Sequence, residues 1–193
     1  MRLFRPLAIV VGLFACGAGS FAGPARAAEP FTFQTILPLT GGAAFLGNQI
    51  VRNYTALADF LNKEGGIDGR KVVFRYHDDQ TSPQQDVQIA GALIAERPPI
   101  ILGSSIVALC NAMAPLMRNG PVMYCLSPSF EPARGSYTFA ASSATRDQIT
   151  TIMRYFRLKG WTRIALLNST DATGQNADRH IRDHLAGDDV VDQ

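Results

Sequence analysis

Residues 31–77 read FTFQTILPLTGGAAFLGNQIVRNYTALADFLNKEGGIDGRKVVFRYH, and they set out a unit that the rest of the chain repeats. Phe31 to Leu39 is a β-rich run, and Thr40-Gly41-Gly42 is a turn. The stretch Asn48 to Glu64 reads as a helix that stops at Gly65-Gly66, and Lys71 to His77 alternates apolar and polar residues as a strand does. The unit recurs downstream. Asp78 to Pro83 is a polar loop with Ser82-Pro83 placed to start a helix over Gln84 to Ala95, which Pro98-Pro99 stops. Ile100 to Leu102 is a short buried strand, Val107 to Arg118 a helix, and Pro121 to Leu126 a strand after the turn at Asn119-Gly120. Strands alternating with helices of this length predict an α/β fold built on a doubly wound parallel sheet.

The pattern then loosens. Tyr137 to Ala140 reads as a strand, Ser142 to Thr145 as a polar crossing, and Arg146 to Lys159 as a helix. Arg163 to Leu167 reads as a further strand and Thr173 to Ala186 as a further helix.

The first residues carry an export address. Arg2 and Arg5 form a positive start, Leu7 to Ala15 an apolar run, and Ala25-Arg26-Ala27 presents small residues where a signal peptidase cuts, so residues 1–27 are expected to leave as a signal peptide. The apolar run is shorter than the roughly 20 residues that span hydrocarbon, and no later run is long enough for stable membrane insertion. Leu13-Phe14-Ala15-Cys16 also has part of a lipobox, which gives a second reading: a lipoprotein anchored at Cys16. Removing Arg2, Arg5 and Arg26 from the 18 basic residues leaves 15 against 16 acidic, so no positive excess draws the chain to nucleic acid. With 47% hydrophobic and 18% charged residues the chain can bury a core, and general disorder is excluded.

Export bears on the cysteines, because disulfides persist outside the cytoplasm. Loss of Cys16 leaves Cys110, in the first turns of a helix, and Cys125, near the end of the next strand. A bond between them is expected; the alternative is two buried small hydrophobes.

Motifs for catalysis or cofactors are weak. Gly41, Gly42 and Gly47 occupy a strand-to-helix loop suited to an anion, yet their spacing matches neither the dinucleotide fingerprint nor a Walker loop, and no cofactor is predicted. No Gly-x-Ser-x-Gly elbow is present. His180 and His184, at i and i+4 with Asp183 between them, could bind zinc on one helix face, which gives an exported zinc hydrolase as the alternative of a different class. The competing reading is a solvated face among Asp178, Arg179 and Arg182. His77-Asp78-Asp79 reads as a strand end entering an Asx-rich turn. Ser104 and Ser105 follow one strand and Ser127 and Ser129 another; at the carboxyl ends of parallel strands such hydroxyls can hold a carboxylate without a titrating group, or can simply cap helices and turns.

The runs ILPLTGGAAFLGNQ, NKEGGIDGRKVVFRYHDDQTSPQQ and GSSIVALCNAMAPLMRNGPVMYCLSPS resemble the type 1 periplasmic solute-binding proteins, in particular the Leu/Ile/Val-binding, branched-chain amino-acid group of ABC transporter receptors. The resemblance covers residues 31–187. It implies two α/β lobes that close over a small solute, a permease as partner, and no catalysis; a ligand sensor of the same fold is a further alternative. Residues 31–141 would form lobe I, and residues 142–193 the crossover and an incomplete beginning of lobe II, so a truncated chain is expected. The implied ligand contacts are Phe45, Leu46, Ser104, Ser105, Val107, Ser127, Ser129 and Phe130, with Thr170 and Asp171 from lobe II. Val107 and Ala108 stand where amino-acid-binding relatives usually place serine, and Ser129-Phe130-Glu131 replaces a run of small residues and threonine. An aromatic or otherwise apolar carboxylate therefore fits at least as well as leucine.

Overall fold

The computed structural model describes residues 28–186; the leader assigned to residues 1–27, with Cys16 and the cut after Ala27, lies outside them. Five parallel strands form one sheet: β1 (Phe31–Leu37), β2 (Val72–Asp78), β3 (Ile100–Leu102), β4 (Val122–Cys125) and β5 (Thr138–Ala140). Their order is β2-β1-β3-β4-β5. The helices between them are α1 (Ala44–Lys63), α2 (Pro83–Ala95) and α3 (Val107–Met113), and α4 (Thr145–Leu158) and α5 (Ala172–Ala186) follow the sheet.

The period of two along each strand sorts the side chains to two faces. Ile36, Ile101, Met123 and Cys125 pack under α2 and α3 with Ala90, Leu93, Val107, Cys110 and Met113, which makes this the main core. On the other face Tyr54 of α1 stacks on Phe74, and Phe74 on Phe33, with ring centroids 4.6 and 5.1 Å apart. Asn62, near the end of α1, accepts from the Val72 amide and donates to the Val72 carbonyl, which fixes the helix on the start of β2. That face is covered over β1 and β2 only. Tyr124 and Phe139, which pair across β4 and β5, stay exposed.

Three elements differ from the expectation. Helix α1 begins at Ala44 rather than Asn48, because Gly47 does not interrupt it: a Cβ there would lie 2.1 Å from the Pro38 carbonyl oxygen, so the glycine lets helix and strand end touch. The helix expected over Val107 to Arg118 is α3 followed by a 3-10 turn, Ala114–Met117, where Pro115 has no N–H for the α-helical bond. Arg163 to Leu167 is not a strand. No described element pairs with it, and Leu167 is 99% exposed. The helices around it form a second, smaller cluster of Ile149, Met153 and Ile181.

Ser82 caps α2 as the sequence indicates, its hydroxyl accepting from the Gln85 amide with Pro83 at the first helical position. Cys110 and Cys125 are disulfide-bonded, joining α3 to the end of β4 inside the core. The bond closes a separation of 15 residues. Reduction should therefore lower the unfolding free energy by about 3 kcal/mol on chain-entropy grounds, seen as a lower urea midpoint, and oxidised protein denatured without reductant should show no free thiol at these positions.

Candidate functional site

All five strands run the same way, so their carboxyl ends deliver the following loops to one edge of the sheet. Two aspartates at the end of β2 gather those loops. Asp78 Oδ1 accepts from the amides of Leu39 (2.9 Å), Thr40 (3.1 Å) and Gln80 (2.9 Å), and Oδ2 accepts from the Thr40 hydroxyl at 2.7 Å. Asp79 Oδ1 accepts from the Thr81 amide at 2.8 Å, and Oδ2 from the Ser104 hydroxyl at 3.1 Å. The Ser104 carbonyl then accepts from the Leu126 amide, at the end of β4. Loops after β1, β2, β3 and β4 are thus linked side by side. Gly41, with φ at 80°, completes the seam, since a Cβ there would fall 2.5 Å from the Gln80 carbonyl oxygen.

The Asx turn expected at His77-Asp78-Asp79 is present in the Asp78 to Gln80 bond, but most of the two carboxylates' bonds reach other loops. Partial burial raises the Asp78 pKa, yet the bonds from Thr40, Gln80 and Leu39 outweigh it and hold the carboxyl below its usual range. Burial dominates at Asp79 and raises it, against the bonds from Thr81 and Ser104.

Asp86, in the first turn of α2, is fully buried, and neither of its oxygens has a hydrogen-bond partner among the described residues. Burial, with a smaller contribution from Asp79, pushes its pKa up to about 8. Sequence reading passed over this residue, although Asp86, Ala90 and Leu93 share a helical face whose other members are core.

The predicted contact residues fall into three groups. Phe45, 68% exposed, and Leu46 lie at the start of α1, and Ser105 Oγ, in the loop after β3, is buried with no hydrogen-bond partner among the described residues. Ser104, Ser127 and Ser129 are buried, Ser104 on Asp79 and Ser129 on the Thr145 hydroxyl at 3.1 Å, while Val107 and Phe130 are packed in the main core. Thr170 and Asp171 precede α5, where Asp171 Oδ1 accepts from the Gly174 amide at 2.9 Å and so caps the helix.

His180 and His184 have different partners. His180 Nε2 contacts Glu131 Oε1, which also accepts from Asn176, whereas His184 Nε2 lies 3.0 Å from Arg157 Nη2. Among the described residues no three His, Cys, Asp or Glu side chains group as a metal site. The Glu131 cluster, which joins the loop after β4 to α5, was also missed in the sequence; Asn176 and His180 lie 45 and 49 residues from Glu131.

An open parallel sheet with linked loops along one edge, and side-chain hydroxyls rather than a nucleophile and base, is the build of a binding lobe. The chain belongs to the periplasmic binding protein family, whose pattern it matches over residues 34–192. It is similar to Leu/Ile/Val-binding protein homolog 3 of Brucella melitensis biotype 1, at 26% identity over 149 residues, covering 75% of this chain and 40% of that one. The same fold occurs in an ABC transporter substrate-binding protein from Desulfitobacterium hafniense solved with Leu (TM-score 0.70, 18% identity, 82% of this chain and 48% of that one). It occurs also in a solute-binding protein of an ABC transporter from Rhodopseudomonas palustris BisB5 solved with 3,4-dihydroxybenzoic acid (TM-score 0.64, 23% identity, 82% and 44%). The chain spans less than half the length of each of these. The family is one of binding proteins, not enzymes, and its setting is extracytoplasmic. Among the described residues no helix is long and apolar enough to cross a membrane.

Replacing Asp78 by Ala removes a charged acceptor from four donors and should cost about 1.5–3 kcal/mol at neutral pH. Because the folded-state pKa is depressed, the stabilisation is present above the unfolded carboxyl pKa and is lost as pH falls through the folded one. Urea titrations of both proteins should therefore converge in acid. Hydrogen exchange should quicken at the Leu39, Thr40 and Gln80 amides.

Proposed function

We propose that residues 31–141 form lobe I, and residues 142–193 the crossover and beginning of lobe II, of a receptor that captures a small carboxylate outside the cytoplasm and passes it to an ABC permease. The observation that carries this reading is the seam of loops at the carboxyl edge of the sheet, with the unpaired Ser105 hydroxyl on one of them. With its side chain turned out of its buried position, Ser105 would donate to the solute carboxylate, while Phe45 and Leu46 cover its apolar part. Ser127 and Ser129 stand behind, and Val107 and Phe130 set the loops from the core side. Thr170 and Asp171, at the head of α5, would face the solute from the second lobe. No step of catalysis and no cofactor enters. Solutes of two kinds suit this edge, aliphatic amino acids and aromatic acids, and relatives solved with Leu and with 3,4-dihydroxybenzoic acid support that range. Delivery would follow removal of residues 1–27, or lipidation at Cys16 in a membrane-anchored form.

Amide NMR on the chain tests the site. Leucine, isoleucine, benzoate and 3,4-dihydroxybenzoate are titrated separately, and at least one should shift residues 40–46, 103–106, 127–130 and 170–172. Saturation is expected only at high solute concentration, since one lobe with a partial second leaves much of the solute wet. Ser105→Trp should abolish the shifts with the fold kept. Shifts confined to other residues, or none with all four solutes, overturn the assignment.

A further inference from the structure

Asp86 is enclosed by elements that offer it no opposite charge. Helix α2 packs on α3 and β1. Strand β1 has no ionisable side chain, α3 has only the disulfide-bonded Cys110, and α2 has no other charged residue than Asp86 itself. Among the described residues the charge that bears on Asp86 is that of Asp79 in the preceding loop, which has its own sign and whose pKa is in turn raised by Asp78 beside it. An ionised carboxylate in such a place is buried with no cation beside it among the described residues, so the neutral acid is the form this core accommodates.

The neighbouring carboxylate is not isolated. Asp79 is also fully buried and is the group that the Ser104 hydroxyl bonds, which makes it, among the described residues, the side-chain link between the β2 loop and residues 103–106. Any charge placed beside Asp79 is therefore placed beside the support of the loop that carries Ser105.

We propose that Asp86 is a proton sensor for the binding edge: it sits neutral in the core, and when it ionises, repulsion against Asp79 disturbs the Asp79 to Ser104 bond and loosens residues 103–106. This rests on the reading of that loop as part of the solute site, and it adds a regulation: capture is strong near neutral pH and weakens in alkaline surroundings. Protonated Asp86 leaves the seam intact. Ionised Asp86 works against it from beneath, without touching the solute.

Carboxyl-carbon and amide NMR titrations of the chain test the coupling without any solute. Asp86 should titrate far above the usual carboxylate range, and the Gly103, Ser104, Ser105 and Ile106 amides should shift with the same midpoint. In Asp86→Asn that inflection should be lost from all four amides. In Ser104→Ala the Asp86 carboxyl should still titrate high while the residue 103, 105 and 106 amides lose most of their response, a separation that a purely structural role would not produce. Asp86 titrating in the ordinary carboxylate range overturns the proposal, and so do loop amides that stay flat across its titration or that follow it unchanged in Ser104→Ala. A chain that couples in this way yet shows no solute shifts would instead count against the proposed solute site alone.

Discussion

Loops that leave a parallel sheet at one edge have no reason of their own to stay together, because each belongs to a different strand-helix unit and its amides point to solvent. In this chain the carboxylates of Asp78 and Asp79 supply the common acceptor. Asp78 satisfies three amides and a hydroxyl from residues 39, 40 and 80. Asp79 carries the link to Ser104, and from Ser104 the backbone continues it to Leu126. Charge-assisted bonds are about twice as strong as neutral ones, so two side chains can hold what a set of serines and threonines alone would not. Side chains such as Ser105 are positioned only as well as this seam is.

Buried negative charge is the cost of that arrangement. Asp79 has no cation beside it among the hydrogen-bond partners, and its ionised form is opposed by burial. A second acid behind it, Asp86, can be tolerated only as a neutral group, which couples the seam's integrity to a proton. The buried disulfide of Cys110 and Cys125 anchors the opposite side of the same loops, since α3 begins where residues 103–106 end and Cys125 lies just before Ser127. The loop carrying Ser105 is thus fixed covalently at its helix side and electrostatically at its strand side.

The alternation of β-rich runs with helices, the glycine and proline stops, and the Ser82-Pro83 cap were legible in the sequence, because each depends on neighbours a few residues apart. So was the pairing of two cysteines once export was inferred. The role of Asp78 and Asp79 was not, since their partners at Leu39, Thr40 and Ser104 lie 39, 38 and 25 residues away. Asp86 was overlooked for the opposite reason: an acid in the first turn of a helix suits the helix dipole, and that local fit hides its place on a buried face. Arg163 to Leu167 has strand composition without a strand, because a strand is defined by its partner and no described element pairs with it.

That last segment shows how loosely the second part of the chain is attached. Helices α4 and α5 pack mainly on each other, around Ile149, Met153 and Ile181, and Ile164, Leu166 and Leu167 remain exposed beside them. Contact with the sheet region passes through both helices: Ala172 of α5 packs against the main core, Glu131 takes bonds from Asn176 and His180, and at the start of α4 the Thr145 hydroxyl meets the Ser129 hydroxyl and the Pro128 carbonyl. A few polar bonds and one small apolar contact form the kind of junction across which two lobes can change angle, whereas the main core behind α2 and α3 is fully enclosed and resists any such displacement. If a solute is taken between residues 103–106 and the head of α5, as proposed, its binding energy acts on the weaker of these two connections, and the hydrogen bonds of Glu131 and Thr145 are those that would stretch or re-form if the two parts moved.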